Sequence, residues 1–470
     1  MIESLEDLIL ARDVIIDHIV IDGENLEEGW EIELFEMLIQ NINYKSQSDI
    51  YVGHAEYMNV DLDRVDGFIK CRILPPQNLY HPVLPYKCNG KLTFPLCKLC
   101  VETSYQNVCS HSNDERSFIG TFVADELRKS LELGYRILEL KEIWSYRTRQ
   151  YDRKSESSCL FSQYVNTFLK IKQECCGWPV WCVSEEDKEK YFKEYREKEG
   201  ITLERNKICK NPGLRFLSKF MLNSFWGKFG QRENLQKTSI VSQPKDLYDI
   251  LSNPSLVVNS ITIINPDVLL VTYEQVEEAI TPLRTVSVPI AAYTTSSARL
   301  ELYKYLEQLG RRVLYFDTDS DFFTQMDGEW EPPTGDFLGD LTDEMTDYGP
   351  DSYFSEFVSA GPKNYAFKFW SSNKQEFSTV CKVMGITLHY KNAEKVKFDV
   401  MKSMICNGND DDSDNDDNDE GVIVLTDRII VRNVRYDVMS RISTKKYGIN
   451  YTKCRRLNDS YDTLPYGYVE

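Results

Sequence analysis

Two aspartates stand two residues apart in RVLYFDTDSDFF, residues 312–323. An apolar, strand-favouring run enters, Asp-Thr-Asp-Ser interrupts it, and an aromatic run leaves, which predicts a hairpin with Asp317 and Asp319 at its tip. On an extended chain residues i and i+2 share a face. Two carboxylates so placed would repel one another unless a divalent cation lay between or above them. Oxygen ligands of this kind suit Mg²⁺, which takes one or two carboxylates together with substrate phosphates. An Asp-rich turn with no ligand has the same pattern, so the pair decides nothing alone.

A second pattern is NPGLRFLSKFMLNSFWGKFGQR, residues 211–232. Asn-Pro-Gly opens it as a turn and helix start, and the spacing predicts a helix to about Gly227. Arg215, Lys219, Asn223 and Gly227 recur at every fourth residue and form one stripe. Leu214, Leu217, Met221, Leu222 and Phe225 supply the apolar remainder. A helix presenting Arg, Lys and Asn in line, with a glycine for close approach, suits a triphosphate and a base. A solvated polar stripe would look the same. The third constellation is Cys97-x2-Cys100-x8-Cys109-x-His111, with Cys88 nearby. Thiolates of a C-x2-C knuckle, joined by a third Cys and a His, can close a tetrahedral zinc site, structural because four protein ligands leave no open position. Cys175, Cys176 and Cys182 lie near Trp178 and Trp181 and read as core. His54, His81 and His389 are isolated and take no role.

Helical periodicity is expected at residues 34–42, at 125–133 up to a stop at Gly134, at 162–172, at 294–309, and at 187–199 as a charged, exposed helix. Strands are expected over 257–273, broken at Asn265-Pro266, and over 312–316. Helices and strands mix without regular alternation, which predicts an α+β fold.

The chain has 470 residues, 42% of them hydrophobic, enough for a large core. No run of 18 apolar residues occurs, so no membrane span is expected. The acidic start MIESLEDLIL does not read as a signal peptide. Thirteen cysteines, an odd count, point to a reducing, intracellular setting. The net charge of −19 taken whole argues against nucleic acid, but the charge is unevenly spread. Residues 410–420 hold eight acids and no base; without them the charge is −11. That acidic run, 407–421, is expected to be a disordered loop. It lacks the glycine and flanking helices of a calcium loop. Residues 205–237 carry eight basic residues against one acid, and 428–456 nine against one. Two cationic segments on an acidic chain are what a localised phosphate-binding surface looks like, or two solvated faces.

The pattern K-x3-N-S-x-[YW]-G, here KFMLNSFWG (residues 219–227), followed about 90 residues later by YFDTDS (315–320), resembles the second and third polymerase motifs of family B DNA polymerases. GPKNYAF, residues 361–367, is similar to the K-x-Y motif of that family. The closing segment 445–468 and LYHPVLPYKCNGKLTFPLCKLC, 79–100, resemble the protein-primed type B polymerases of Polinton (Maverick) transposons. The resemblance covers residues 51–468.

The resemblance implies a right-hand polymerase fold without an evident exonuclease domain. It implies a primer 3′-hydroxyl attacking the α-phosphate of a deoxynucleoside triphosphate, with two Mg²⁺ ions at the attacking and leaving oxygens. Asp317 and Asp319 would be metal ligands. Lys219 would neutralise the triphosphate, Asn223 would help seat the nucleotide, and Arg215 would contact phosphate. Trp226, where the family usually has tyrosine, would pack on the nascent base pair. Lys363 and Tyr365 would hold the primer terminus, and 428–456 would track backbone phosphates. The expected division is 1–50 atypical, 51–210 palm with the possible zinc knuckle, 211–245 fingers, 246–400 palm and 401–470 thumb. Partners would be primer–template DNA, deoxynucleoside triphosphates and, where protein priming is retained, a terminal priming protein. Localisation would be nuclear in a eukaryotic host.

The departure lies upstream. The family's first motif, D-x-x-S-L-Y-P, carries the other metal-binding aspartate and should precede residues 51–56. Counting back reaches Glu36, with no Ser-Leu-Tyr-Pro. Residues 1–50 therefore read as foreign or misjoined sequence. Asp22 and Glu24 match a D-x-E exonuclease motif but read as surface acids, because the later exonuclease motifs have no room. The alternatives are a polymerase of impaired activity and a non-catalytic DNA-binding remnant. A zinc-and-DNA module of other ancestry leaves the Lys219 helix and the Asp317 hairpin unexplained together.

Overall fold

A computed structural model describes residues 62–145, 161–179, 181–280, 283, 285–335, 337, 339–407, 422–432, 438–457 and 461–470. The readings placed on Asp22, Glu24, Glu36, His54, the 34–42 helix and the acidic run fall outside the described residues. Within them the chain mixes helices with antiparallel sheets, as the α+β expectation required. No described helix is long and apolar enough to cross a membrane.

The chain divides into two compact units. The larger draws on described residues of Met1–Trp226, Pro289–Asp416 and Ile449–Glu470; the smaller on those of Gly227–Val288 and Asp417–Gly448. These divisions cut across the 211–245, 246–400 and 401–470 segments expected from sequence.

In the larger unit, strand Gly67–Leu74 lies between Phe118–Val123 and Arg136–Ser145. Its alternate residues Ile69, Cys71 and Ile73 are almost fully buried, as period-two patterning demands of a one-sided sheet. Leu302, Tyr303, Leu306 and Leu309 of helix Val288–Leu309 join the same core, as do Leu464 and Tyr468 near the far end of the chain. Each fully buried Leu or Ile contributes about 1.5–3 kcal/mol. One polar contact is built into this packing. Glu126, 2% exposed, accepts two hydrogen bonds from Arg299, Nε to Oε1 at 2.7 Å and Nη2 to Oε2 at 3.0 Å. His81 is not idle either: its Nε2–H donates to the Gly310 carbonyl at 2.8 Å, and its own carbonyl accepts from Tyr303 at 2.8 Å.

The core helix starts at Val288, six residues before the expected 294. Pro289 reads as a breaker in sequence, yet in a first helical turn its missing N–H has no partner to lose. Helix Glu185–Glu199, expected to be exposed, buries Tyr191, Tyr195 and Glu199, a stripe at every fourth residue hidden among charges. The two tyrosines pack with Leu169, Ile201, Leu203 and, from the next helix, Leu222.

The smaller unit holds a three-stranded sheet, with Val268–Gln275 between Lys237–Val241 and Leu256–Asn265. A two-stranded ladder of Ile423–Arg432 and Val438–Tyr447 completes it. The strand break expected at Asn265-Pro266 is the turn between the second and third of these strands.

Candidate active site

The hairpin expected at 312–323 forms from Val313–Asp317 and Ser320–Phe323, with Ser320 opposite Asp317 and Asp321 opposite Phe316. Its tip corrects the expectation that both carboxylates share one face of an extended strand. Asp317 ends the first strand, half-exposed, whereas Asp319 lies in the turn, exposed. Thr318 between them sits at φ 58°, and the Asp319 N–H donates to the Asp317 carbonyl at 2.6 Å. This is a γ-turn, a conformation that strains a β-branched residue by an amount of order 1–3 kcal/mol. Side-chain bonds hold it: Thr318 Oγ1 donates to Asp317 Oδ1 at 3.1 Å and Ser320 Oγ to the Asp317 carbonyl at 3.2 Å. Asp321, paired with Phe316, points to the opposite face from Asp317. One of its oxygens is buried without a hydrogen-bond partner among the described residues, and desolvation holds its carboxyl above the usual range.

Strands Tyr353–Gly361 and Asn364–Ser371 form a second hairpin whose loop is Pro362-Lys363. Lys363 Nζ lies 3.6 Å from Asp317 Oδ2, and the Lys363 N–H donates to the Tyr315 hydroxyl at 2.8 Å. The Tyr365 ring packs at 4.9 Å from Tyr315 and 5.3 Å from Phe322. The K-x-Y and Y-x-D-T-D-S segments thus meet through one aromatic layer. Tyr365 is a member of that layer rather than an open surface ring.

Gly361 sets how close this loop lies to a third segment. Its φ is 121°, and a Cβ there would fall 2.0 Å from the Asn450 carbonyl oxygen. The Asn450 N–H in turn donates to the Ala360 carbonyl at 2.8 Å. This approach brings the segment that holds Lys453 beside the Lys363 loop. Desolvation draws the Lys453 ammonium below its usual range, with Lys91 and Lys363 adding repulsion and Asp317 opposing them. Sequence reasoning placed Lys453 only within a basic stretch. Nothing local distinguishes it, because its partners come from tertiary folding.

Helix Pro212–Phe229 presents the expected stripe: Arg215, Lys219 and Asn223 are exposed, while Ser218 and Phe225 face inward and are buried. Leu214 and Leu217, of the helix's apolar remainder, are 42% and 38% exposed, so only the second half of the apolar side is covered. Arg215 Nε donates to Cys176 Sγ at 3.2 Å, which places Cys176 at the surface of this helix pair rather than in the core. Burial lowers the Lys172 ammonium, and Arg215 and Lys219 add to that shift as like charges against Cys176. Three cations crowd one place, an arrangement suited to a polyanion. Lys172 was missed because it lies on another helix, Ser162–Glu174. Trp226 packs edge-on to Phe161 and Phe225, centroids at 5.8 and 5.1 Å.

Cys97, Cys100, Cys109 and His111 converge, with their ligand atoms all within 4.8 Å of one another. Among the described residues they are the one group of three or more side chains so placed to hold a metal; no third carboxylate, Cys or His joins Asp317 and Asp319.

Residues 182–309 match the family model of DNA polymerase type B, organellar and viral. The match contains Arg215, Lys219, Asn223 and Trp226, and stops eight residues before Asp317. This similarity to type B DNA polymerases supports a DNA polymerase function, nucleotidyl transfer by family, with primer–template DNA and deoxynucleoside triphosphates as partners and Mg²⁺ as the usual metal. No curated protein and no solved structure matches the chain.

Proposed function

We propose that this chain is the polymerising part of a protein-primed type B DNA polymerase of the Polinton kind, with a right-hand fold, binding primer–template DNA strongly and extending it weakly. The observation that carries the reading is the meeting of two hairpins: Lys363 Nζ lies 3.6 Å from Asp317 Oδ2, and the Tyr365 ring packs on Tyr315. Those residues come from two separate motifs of the sequence. The matched segment supplies the nucleotide-facing helix.

The donors at the tip fit Mg²⁺: carboxylate oxygens, accessible, beside cations suited to phosphate. Asp317 and Asp319 would hold the ion. When bound, Mg²⁺ lowers the cost of charge developing on the reacting oxygens. The 3′-hydroxyl of the primer attacks the α-phosphate, the bond to the β-phosphate breaks, and pyrophosphate leaves. Lys219 and Arg215, with Lys172 behind them, neutralise the triphosphate. Lys363 and Lys453 hold the phosphates of the primer strand near Asp317.

Weak extension follows from the carboxylate count. Three are expected in this chemistry, and the sequence before residue 51 holds no D-x-x-S-L-Y-P motif to supply the third. Removing one preorganised charge from a transition state costs about 3–4 kcal/mol, or roughly 10² to 10³ in rate. The test is paired: primer–template affinity as a function of salt, and single-turnover extension. Affinity should fall steeply with salt as phosphate contacts release counterions. The double variant Lys363→Ala, Lys453→Ala should flatten that slope by about two contacts. Extension matching that of an intact type B polymerase would overturn the impairment; salt-independent affinity would overturn the DNA reading.

Lys219→Ala should raise the nucleotide KM about tenfold or more, one charge-assisted phosphate contact of roughly 1.5–3 kcal/mol, while DNA affinity changes little. A parallel loss of DNA affinity would place Lys219 on the duplex instead.

A further inference from the structure

The cysteine–histidine cluster lies outside the matched segment and plays no part in nucleotidyl transfer. Its geometry is specific. His111 Nδ1 stands 3.4 Å from Cys97 Sγ, 3.2 Å from Cys100 Sγ and 3.6 Å from Cys109 Sγ. Ligands on a tetrahedral zinc ion, at 2.3 Å for sulfur and 2.0–2.1 Å for nitrogen, are separated by about 3.5 Å along a nitrogen–sulfur edge. The three sulfurs are buried, and the Cys100 N–H points at Cys97 Sγ, 3.4 Å away, as it does toward a thiolate ligand. A Cys97–Cys100 disulfide would account for two of these groups and leave no reason for Cys109 and His111 to converge on them.

Arg116 anchors the residue before the knuckle. It is 4% exposed, and its Nη2 donates to the Pro75 carbonyl at 2.6 Å and to the Leu96 carbonyl at 3.5 Å. Leu96 and Cys97 are thereby held in place before any ion is bound.

The cluster also touches the end of the chain. Tyr466, 1% exposed, packs in one apolar group with Cys88, Cys97, Cys100 and Cys109. The Leu96 N–H donates to the Tyr466 carbonyl at 2.7 Å, and Gln106 Nε2 donates to the Tyr466 hydroxyl at 3.1 Å. Gly467, at φ 90°, leaves no room for a side chain: a Cβ would lie 2.4 Å from Cys97 Cβ.

We infer that Cys97, Cys100, Cys109 and His111 bind one structural zinc ion, and that this ion fastens the segment around Tyr466 and Gly467 onto the knuckle. Binding replaces thiol protons by the metal, so three protons leave to solvent and no electron is transferred. The full chain, purified from zinc-supplied cells without added chelator, should carry one zinc per chain by elemental mass spectrometry. The double variant Cys97→Ser, Cys109→Ser should carry none. His111→Cys should keep the metal, because four thiolates close the same tetrahedron, which separates loss of the site from loss of folding. Co²⁺ in place of zinc should give the intense visible bands of a tetrahedral thiolate complex. Chelation should speed hydrogen exchange at the Leu96 and Gln106 contacts and over Tyr466–Val469 by about tenfold or more. A folded chain without zinc, or a Cys97–Cys100 disulfide in its intact mass, would overturn the metal site. Stoichiometric zinc with tail exchange unchanged by chelation would overturn the fastening. None of these readouts depends on polymerase activity.

Discussion

Asp317→Ala should lower metal-dependent primer extension by roughly a thousandfold, the upper end for losing one preorganised transition-state charge. DNA affinity should hold or rise. Asp317 and Lys363 are each about one-third exposed and their contact is 3.6 Å, so the pair contributes little to stability. Removing the carboxylate therefore takes away an anion that competes with phosphate at Lys363, rather than unsettling the loop. The same variant should lose a Mn²⁺ site in an electron-resonance titration of free Mn²⁺, a readout that holds even where extension is slow. Asp319→Ala should behave similarly, whereas Asp321→Asn should leave extension near that of the parent chain, since its side chain points the other way. Undiminished extension and Mn²⁺ binding in Asp317→Ala would remove the hairpin from the catalytic reading.

Glu126→Ala should destabilise the larger unit by about 1–3 kcal/mol, the range for removing one partner of a hydrogen-bonded contact. Glu126 is buried while Arg299 is partly exposed, so the guanidinium left behind turns to water and the reverse variant, Arg299→Ala, costs more. Glu126→Gln should cost less, because an amide still accepts from one guanidinium N–H. Replacing both residues by apolar ones of similar volume should recover much of the loss. Denaturant unfolding of these proteins measures this directly. Equal stability of Glu126→Ala and the parent chain would mean that helix Val288–Leu309 is held by its apolar side alone.

The hairpin, the cationic helix and the cysteine–histidine cluster were legible because each is a local pattern of few residues. Their fine geometry was not. Thr318 at positive φ separates two aspartates that strand periodicity would align, and no propensity announces a β-branched residue there. Tyr191 and Tyr195 were invisible among twelve charged neighbours because charge count outweighed a two-residue apolar stripe. Lys453, Lys172 and Glu126 take their meaning from partners far along the chain. Leu214 and Leu217 show the opposite failure, since an apolar residue on a helix face need not be covered. The α+β class needed only the mixture of elements.

The core that begins with Val65 is completed by Leu464 and Tyr468. A chain emerging from the ribosome therefore contains strand Gly67–Leu74 long before the residues that seal it exist. Until then Ile69, Ile73 and Phe118 have only part of their cover, a condition in which large chains are captured by chaperones or aggregate. Closure of this core waits on Leu464 and Tyr468, and a stop codon only a few residues before Leu464 should yield insoluble product rather than a shorter soluble chain.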